Sequence, residues 1–389
     1  MGIVIYYPSI VKHSEPMTDE LELIPVQDIK VTKGMTVDEM LRAMGRAGGF
    51  TAQKLADATD IAEAMVKKEG CLKILSFPAC IMATGTRGVI VDMVKNHMVD
   101  LIITTCGTLD HDLSRTFAAY YKGDFNMDDA KLRDEYEISR LGNVLVPDSC
   151  YGIVLEDNLL PMFDEIFAET KEMSTHEIID QVGARLDNED SLLYQCHKNN
   201  IPIVVPGITD GSFGCQLWMY YQMHRKLRID LFADEQMLSE LTNDADTTGA
   251  IIIGGGISKH HVIWWNQFRG GLDYCIYLTT AEEYDGSLSG ARIREAVSWG
   301  KVKEDAKKMT VEGDATISLP LIYAGLAERL LRSCRASCSC PETDRGPEPS
   351  RPRRRRYPQR RRTWRSYAGT SDSPGTRSTA PPCPTRRLI

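Results

Sequence analysis

The sequence lacks the features that direct a chain across or into a membrane. Its first residues do not combine a basic start with an apolar segment, which is the pattern of a secretion signal. No apolar run approaches the roughly 20 residues that a helix needs to span a bilayer. These absences favour a soluble, cytoplasmic protein, and 389 residues are enough to bury a sizeable core.

Paired cysteines are also missing from most of the chain. The seven cysteines before residue 333 stand singly, in or beside apolar runs, and none forms a Cys-x-x-Cys pair with metal-ligand spacing. They are Cys71, Cys80, Cys106, Cys150, Cys196, Cys215 and Cys275. We interpret them as reduced, buried thiols of a cytosolic protein, and we expect no metal site.

The common glycine pattern of dinucleotide-binding turns, G-x-G-x-x-G, is absent as well. The glycine triplet Gly254–Gly256 follows an apolar run but does not have this spacing. By itself the triplet indicates only a turn between a strand and a loop, because many such turns need glycine. The glycines alone therefore identify no cofactor site.

Charge divides the chain into two unlike parts. Residues 333–389 contain 14 basic and 4 acidic residues and nine of the 18 prolines, whereas residues 1–332 contain 32 basic and 50 acidic residues. We predict a single folded domain over 1–332. Because the second part has almost no aliphatic residues to bury, we predict a disordered Arg/Pro-rich tail over 333–389.

A basic tail has two interpretations. It could be an arm that binds RNA, or a plain extension, which includes the product of a shifted reading frame that replaces a C-terminal helix. Few aromatic side chains in it could stack on bases, namely Tyr357, Trp364 and Tyr367. We therefore favour the plain extension and do not expect a nucleic-acid partner.

Short apolar runs alternate with amphipathic segments along residues 35–331. Residues 35–68 are predicted to be helical, with Thr36 as the cap and a break at Gly48-Gly49. Strands are predicted at 73–77, 99–105, 143–146, 201–205, 250–253 and 274–278, and 315–331 is predicted as a short strand followed by a helix. This alternation predicts an α/β fold with a mostly parallel, Rossmann-like sheet and helices on both faces.

Polar or glycine-rich clusters follow four of the predicted strands. They occupy 104–107, 207–211, 254–256 and 279–281. In open parallel sheets, ligands bind beyond the carboxyl ends of the strands. We therefore expect the four clusters to converge on one edge of the sheet and to form a ligand site there.

Lys301 and His260 are the candidates for catalysis. A lysine amine attacks a carbonyl or imine only when it is neutral, and the Trp-Gly pair before Lys301 would provide a water-poor wall. His260 is the candidate general base because imidazole titrates near neutral pH. The structural alternatives are a surface lysine after a helix and a satisfied histidine, and His261 fits the second description.

Trp299 and Glu295 are the candidates for substrate binding. Trp299 would offer a ring face to a polyamine cation, although an ordinary core aromatic is the alternative. Glu295 lies about one helical turn earlier and would hold a substrate ammonium, with a solvated helix charge as the alternative.

Several long segments, in order, resemble the deoxyhypusine synthase family, and in detail its archaeal branch. They are VDLIITTCGTLDHDL at 99–113, GNVLVPDSCYGIVLED at 142–157, IPIVVPGITDGSFG at 201–214, IIIGGGISKHH at 251–261, YLTTAEEYDGSLSGAR at 277–292 and EAVSWGK at 295–301. The resemblance runs from about Met35 to about Leu331. Such a series is far more specific than a single glycine pattern.

The resemblance implies an NAD-dependent transferase. It would move the aminobutyl group of spermidine to one lysine of translation initiation factor 5A, with Lys301 carrying the group as an imine and His260 at the amine-oxidation site. The family's sites lie between the subunits of a homotetramer. The acidic body of the chain suits both a cationic polyamine and a basic protein partner.

The resemblance also assigns residues to the ligands. NAD contacts would come from the turn at 79–83 and from Thr104, Thr105, Asp110, Asp210, Gly255, Thr280, Ala281, Asp285, Asp314 and Ala315. The polyamine pocket would contain Trp299, Glu295, Gly286, Cys215 and Leu288. Structural alternatives exist for Asp110, which could cap a helix, and for Asp210, which could form a turn.

Two of these pocket residues depart from the eukaryotic pattern. Cys215 and Leu288 stand where eukaryotic members carry aspartates, so the pocket loses two partners for a substrate amine. We interpret this as a changed donor pocket. The donor could be spermidine or another aminoalkyl or guanidino amine such as agmatine.

Two other functions stay open from the sequence. A paralogue could use the same chemistry on a free amine and make homospermidine or a related polyamine. A catalytically silent relative could be kept for binding, with the Arg-rich tail contacting RNA. We expect the first function, deoxyhypusine synthesis, because the motifs around Lys301 match in full.

Overall fold

The computed structural model describes residues 24–337 of the chain, with side chains through Leu331. The predicted tail lies outside the described residues, except that 333–337 continue the last helix. Between residues 24 and 337, no helix is both long enough and apolar enough to cross a membrane.

Helices and strands alternate over most of this region. The helices are α1 Val37–Ala47, α2 Phe50–Lys67, α3 Arg87–Lys95, α4 Cys106–Phe117, α5 Asp129–Tyr136, α6 Gly152–Ile166, α7 Thr175–Gly183, α8 Leu192–Asn199, α9 Ser212–Met223, α10 Leu231–Asp244, α11 Ile257–Gln267, α12 Ile293–Ser298 and α13 Ala315–Ser337. The strands are β1 Cys71–Phe77, β2 Leu101–Thr104, β3 Tyr121–Lys122, β4 Ile138–Leu141, β5 Val144–Pro147, β6 Glu172–Ser174, β7 Ile203–Val204, β8 Arg228–Asp230, β9 Thr247–Ile253, β10 Leu272–Thr279 and β11 Val302–Glu312.

A six-stranded sheet in the order β11-β10-β9-β1-β2-β7 forms the centre, and every neighbouring pair in it is parallel. Along β9, Ile251 and Ile253 enter one apolar cluster with α2, whereas Ala250 and Ile252 enter another with α11. Alternate side chains point to opposite faces of a strand, so both faces of the sheet are covered by helices. The predicted α/β fold with a mostly parallel sheet is confirmed.

The predicted break near the start of the domain is also confirmed. Thr36 caps α1: its Oγ1 accepts a hydrogen bond from the Glu39 backbone N–H, and the Glu39 carboxylate accepts one in return from the Thr36 backbone N–H. Gly48 and Gly49 then adopt positive φ angles of 59° and 101°, which a residue with a side chain rarely does. The chain therefore turns there and starts α2.

The strand predicted at 143–146 is confirmed as β5, which belongs to a separate antiparallel sheet, β3-β5-β4. The short strand predicted at the start of 315–331 is wrong. The segment from Ala315 begins directly as helix α13, where the Asp314 carboxylate accepts a hydrogen bond of 2.9 Å from the Thr316 backbone N–H. The strand before it, β11, escaped the sequence analysis because it lies at the sheet edge and buries only Val302 and Val311.

Because the six central strands are parallel, their carboxyl ends share one edge of the sheet. The clusters at 104–107, 254–256 and 279–281 directly follow β2, β9 and β10 at this edge, and 207–211 comes shortly after β7. The predicted convergence is therefore observed. The candidate catalytic residues Lys301 and His260 lie elsewhere, in a cavity between α11 and α12.

Candidate active site

A cavity of about 380 Å³ lies between α11 and α12 on one face of the central sheet. It brings together five of the predicted residues: Lys301, His260, Glu295, Trp299 and Leu288. The other lining residues are Lys259, Ile263, Trp264, Gln267, Tyr277, Ala291, Arg292 and Ala296. We call this the lysine cavity.

The backbone of Lys301 is fixed between a helix and the sheet. Gly300, with φ of 66°, ends α12, and the backbone N–H of Lys301 donates to the Ala296 carbonyl at 2.9 Å. On the other side, the Lys301 carbonyl accepts from the backbone N–H of Leu272 at 3.1 Å. Because both backbone groups are held, the side chain enters the cavity from a rigid base.

The amine of Lys301 lies in contact distance of a histidine and two tryptophans. Its Nζ is 3.4 Å from Nε2 of His260, and it lies 5.4 Å and 6.0 Å from the ring centroids of Trp299 and Trp264. Only 9% of the Lys301 surface is exposed. The arrangement places a candidate nucleophile beside a candidate base, as covalent catalysis by lysine needs, while Trp299 and Trp264 are 63% and 41% exposed.

His260 is suited to accept a proton. Burial, and then the charge of Lys301, lower the pKa of His260 below its ordinary value of 6.5. The ring is therefore neutral at pH 7, with Nε2 directed at the Lys301 amine. The indole of Trp264 supports the ring by stacking, with 5.8 Å between centroids and 23° between planes.

The neighbouring His261 serves a different purpose. Its Nε2 lies 3.2 Å from Oε1 of Glu235 on α10, and the residue does not line the lysine cavity. The interpretation of His261 as a satisfied histidine stays a prediction.

A buried lysine that the sequence analysis did not single out also lines the cavity. Lys259 is only 2% exposed, and its Nζ donates to the carbonyls of Leu288 at 2.7 Å and Ala291 at 2.9 Å. The amine lies 4.0 Å from the centroid of the Tyr277 ring, and burial lowers its pKa to about 8. Lys259 therefore ties the segment between β10 and α12 to α11. Its place beside His260 in the sequence was the only available signal.

Two other predicted pocket residues lie outside the lysine cavity. Cys215 is exposed on α9, and Gly286 is exposed in the turn after β10, with φ of 70°. Neither lines the cavity. Their assignment to the polyamine pocket stays a prediction.

A larger cavity, of about 950 Å³, opens at the carboxyl edge of the sheet. Asp314 and Ala315 line it, together with Cys80, Ile81 and Ala83 of the turn at 79–83 that the resemblance assigned to NAD. It shares no lining residue with the lysine cavity. We call it the edge cavity.

The edge cavity has the size of a ligand site and one exposed carboxylate. Its volume lies within the range of about 300–1,000 Å³ that is usual for ligand sites. Thr84, Gly85 and Thr86 line it directly before the first turn of α3, where the backbone N–H groups of Thr86, Arg87 and Gly88 already donate to Thr84 Oγ1 and to the Thr84 and Gly85 carbonyls. The exposed carboxylate of Asp314 provides an acceptor for sugar hydroxyls.

Three of the predicted cofactor residues already have partners within the fold. Thr104 Oγ1 donates to the Phe77 carbonyl at 2.6 Å, and Thr105 Oγ1 accepts from the Ala79 N–H at 3.1 Å. Asp110 is fully buried and accepts from the backbone N–H groups of Ser212 and Phe213 and from the Tyr151 hydroxyl at 2.7–2.9 Å.

Asp110 therefore caps α9, and the capping alternative for this residue is observed. Burial raises the pKa of Asp110, while these three hydrogen bonds oppose the rise.

The remaining predicted cofactor residues lie at the carboxyl edge but outside both cavities. They are Asp210, Gly255, Thr280, Ala281 and Asp285. Asp210 is exposed in a turn closed by its N–H and the Gly207 carbonyl, which is the turn alternative. Gly255 has φ of 92°, and a Cβ there would lie 2.8 Å from Ser258 Oγ, so the turn requires glycine.

No group of three or more His, Cys, Asp or Glu side chains suited to a metal ion occurs within residues 24–337.

Comparison with known proteins gives one consistent family. The family model for deoxyhypusine synthase matches residues 39–326. A "Probable deoxyhypusine synthase" of Picrophilus torridus is 53% identical over 306 residues, covering 79% of this chain and 98% of the relative. One of Sulfolobus acidocaldarius is 42% identical over 316 residues, covering 81% and 99%.

A solved structure shows the same fold. A crystal structure from Entamoeba histolytica that bears the same family name has a TM-score of 0.52 and 22% identity, and the match covers 77% of this chain and 96% of that one. At this identity the likeness concerns the fold. The family match and the archaeal relatives carry the assignment, and the chain belongs to the deoxyhypusine synthase family of transferases.

Proposed function

We propose that this protein transfers the aminobutyl group of spermidine to one lysine of translation initiation factor 5A in an NAD-dependent reaction. The observation that supports this most is the 3.4 Å contact between Lys301 Nζ and His260 Nε2 in a cavity walled by two tryptophans. A buried amine beside a neutral imidazole is suited to form and release an imine. Membership in the deoxyhypusine synthase family supports the proposal that this imine is an intermediate in the transfer of an alkyl group.

His260 and Lys301 would act one after the other, in two successive steps. His260 takes the proton that the donor's secondary nitrogen loses as the carbon beside it is oxidised to a C=N bond. The Lys301 amine adds to that carbon, and the diamine fragment leaves with a proton. The aminobutyl group is then an imine on Lys301 until the amine of the acceptor lysine adds and displaces it.

The residues that line the edge cavity would hold NAD, whose nicotinamide would supply the hydride acceptor for the oxidation and the hydride donor for the final reduction. Thr84, Gly85, Thr86 and Asp314 would hold it there. Trp299 and Glu295 line the lysine cavity, where their ring face and carboxylate suit a cationic donor. Closure around the imine would protect it from water between steps.

The protein is proposed to act as a cytoplasmic homotetramer. Cys215 and Gly286 lie outside the lysine cavity of one chain, and the lysine and edge cavities share no residue. Both facts support a complete site that forms only when subunits meet, as the family resemblance implies. Isolated subunits should therefore be inactive.

The deciding experiment is a mass spectrum of the acceptor. Full-length protein is incubated with NAD, labelled spermidine and the purified factor, and a parallel reaction contains putrescine instead of the factor. We expect one aminobutyl addition on one lysine of the factor, and none with the Lys301→Arg variant. Label on putrescine alone would identify the homospermidine-forming alternative, and label on neither acceptor with a folded protein would favour a binding role.

The donor is tested in the same assay. Cys215 and Leu288 provide no carboxylate, and Glu295 is the one acidic residue among the described residues that line the lysine cavity. A guanidino amine is therefore the alternative donor. If agmatine is the true donor, oxidation beside its primary amine and loss of ammonia would transfer a guanidinobutyl group, whose added mass on the same lysine exceeds that of an aminobutyl group.

A further inference from the structure

We propose that Arg115 of α4 and Lys122 of β3 bind the diphosphate of the proposed cofactor in the edge cavity. This inference rests on the proposed function, in which NAD occupies that cavity, and it names the two side chains that recognise its negative charge. Neither residue was a candidate in the sequence analysis. Both line the edge cavity, Arg115 from the last turn of α4 and Lys122 from the small antiparallel sheet.

The start of α3 cannot provide the usual backbone site for a phosphate. Such a site needs free N–H groups at a helix N-terminus. Here the N–H of Thr86 donates to Thr84 Oγ1 at 3.2 Å, and those of Arg87 and Gly88 donate to the carbonyls of Thr84 and Gly85 at 3.3 and 3.1 Å. These groups are not free for a ligand, and cationic side chains are the other groups that can balance a diphosphate.

Arg115 is a cation that is held in place but not neutralised. Its Nη1 donates to the backbone carbonyls of Met82 at 2.7 Å and Thr84 at 2.6 Å, both in the turn that leads into α3. Within residues 24–337, Nε and Nη2 of Arg115 have no hydrogen-bond partner. The carboxylate of Asp112 on the same helix pairs with Arg87 at 2.7 Å instead. Burial, and then the charge of Arg87, lower the pKa of Arg115, so an anion beside it would stabilise the charged guanidinium.

Lys122 provides a second, independent cation. Its backbone is fixed by the pairing of β3 with β5, and its exposed ammonium forms no ion pair with any described residue. Asp314 is the one carboxylate among the described residues that line the edge cavity, and it accepts hydrogen bonds of 2.9 Å from the N–H and the hydroxyl of Thr316. The cavity therefore presents two free cations in a domain with 32 basic and 50 acidic residues, which favours an anionic ligand there.

The test is a titration of full-length variants with NADH, followed by its fluorescence. Arg115→Met and Lys122→Met should each raise the Kd of NADH about tenfold, because each removes a charge-assisted contact. Lys122→Arg should stay near the wild type, and Lys122→Glu should bind more weakly than Lys122→Met. Added salt should weaken binding to the wild type more than to either methionine variant, since it screens the charges that the variants lack.

Two variants serve as matched controls. Lys131 lies on the neighbouring helix α5, pairs with Glu135 at 3.7 Å and does not line the edge cavity. Arg185 donates from Nη1 to the Gln181 carbonyl at 2.8 Å, as Arg115 does to its turn, but away from this cavity. Lys131→Met and Arg185→Met should both keep the wild-type Kd, and thermal melting of every variant reports on folding.

Competition separates recognition of the diphosphate from recognition of the rest of the cofactor. ADP should displace NADH from the wild type at a lower concentration than adenosine, and the double variant Arg115→Met/Lys122→Met should lose most of that difference. Wild-type affinity in a folded Arg115→Met or Lys122→Met variant would overturn the role of that residue, and equal competition by ADP and adenosine would overturn both roles. A wild-type protein that binds NADH but modifies no acceptor would count against the proposed function alone, whereas one that binds no NADH would overturn the cofactor site as well.

Discussion

Lys301 Nζ and His260 Nε2 lie 3.4 Å apart, although the two residues are 41 positions apart in sequence. His260 sits in the first turn of α11, after β9, whereas Lys301 sits between α12 and β11. The sheet brings both helices onto the same face, so the contact is a product of the fold. A base adjacent to a nucleophile is the arrangement that the proposed reaction requires.

The first prediction concerns the acid limit of activity. Because burial and the Lys301 charge lower the pKa of His260, the folded protein keeps this imidazole neutral below pH 6.5. The apparent pKa of the acid limb of the kcat/KM profile should therefore lie below the ordinary histidine pKa of 6.5. His260→Gln should lower kcat about 100-fold or more and abolish that limb, as measured by initial rates over the pH range.

His261→Gln is the matched control for this variant. His261 contacts Glu235 and does not line the lysine cavity, so its replacement should leave kcat and the pH profile near the wild type. If His261→Gln removed the acid limb and His260→Gln kept it, the assignment of the base would be wrong.

The second prediction concerns Lys259. Lys259→Met keeps the unbranched shape and most of the length of the side chain but leaves the carbonyls of Leu288 and Ala291 without their donor, at a cost of about 1–3 kcal/mol. The segment 286–292 should then exchange its amide hydrogens faster and kcat should fall. Hydrogen–deuterium exchange of that peptide measures the first effect.

Lys303→Met tests whether any lost lysine would do the same. The Lys303 side chain is 34% exposed and pairs with Asp273. The Lys303→Met variant should therefore leave amide exchange in 286–292 unchanged. Equal exchange in the Lys259→Met variant and the wild type would show that Lys259 does not anchor this segment.

The third prediction concerns stability away from the site. Arg329 of α13 is 3% exposed and contacts the carboxylates of Asp38 and Asp60 at 2.6 Å and of Glu63 at 3.1 Å. Arg329→Met would leave the fully buried Asp38 with a weaker set of partners. The free energy of unfolding should drop by about 3–5 kcal/mol, as measured by denaturant titration.

Arg294→Met serves as the exposed counterpart. Arg294 pairs with Glu283, and its side chain is 77% exposed. The free energy of unfolding of this variant should drop by about 1 kcal/mol or less. Equal losses in the two variants would mean that the buried network does not hold α13 to the two N-terminal helices.

Much of the fold could be predicted from the sequence because the central strands are continuous apolar runs. The runs that became β1, β9 and β10 are buried on both faces, which is the pattern of a parallel sheet. Strand β11 gave no such signal, since it lies at the sheet edge and only two of its 11 residues are buried. Its pairing with β10 depends on tertiary contacts that no local pattern records.

Residues of the candidate site could be predicted from the sequence only where they belong to a recognisable motif. The motif around Lys301 and the Lys-His-His string predicted Lys301 and His260 as catalytic candidates, and the structure brings these two residues together. The burial of Lys259 and the role of Asp110 as the cap of α9 depend on partners about 30 and 100 residues away.

The most direct test of the central claim is to trap the covalent intermediate. Full-length protein is incubated with NAD and labelled spermidine in the absence of the acceptor, reduced with borohydride and digested. The label should lie on Lys301, in the peptide that contains Trp299, and it should be missing from the Lys301→Arg variant. Label on another lysine such as Lys259, or no label in a preparation that still modifies the factor, would contradict the account.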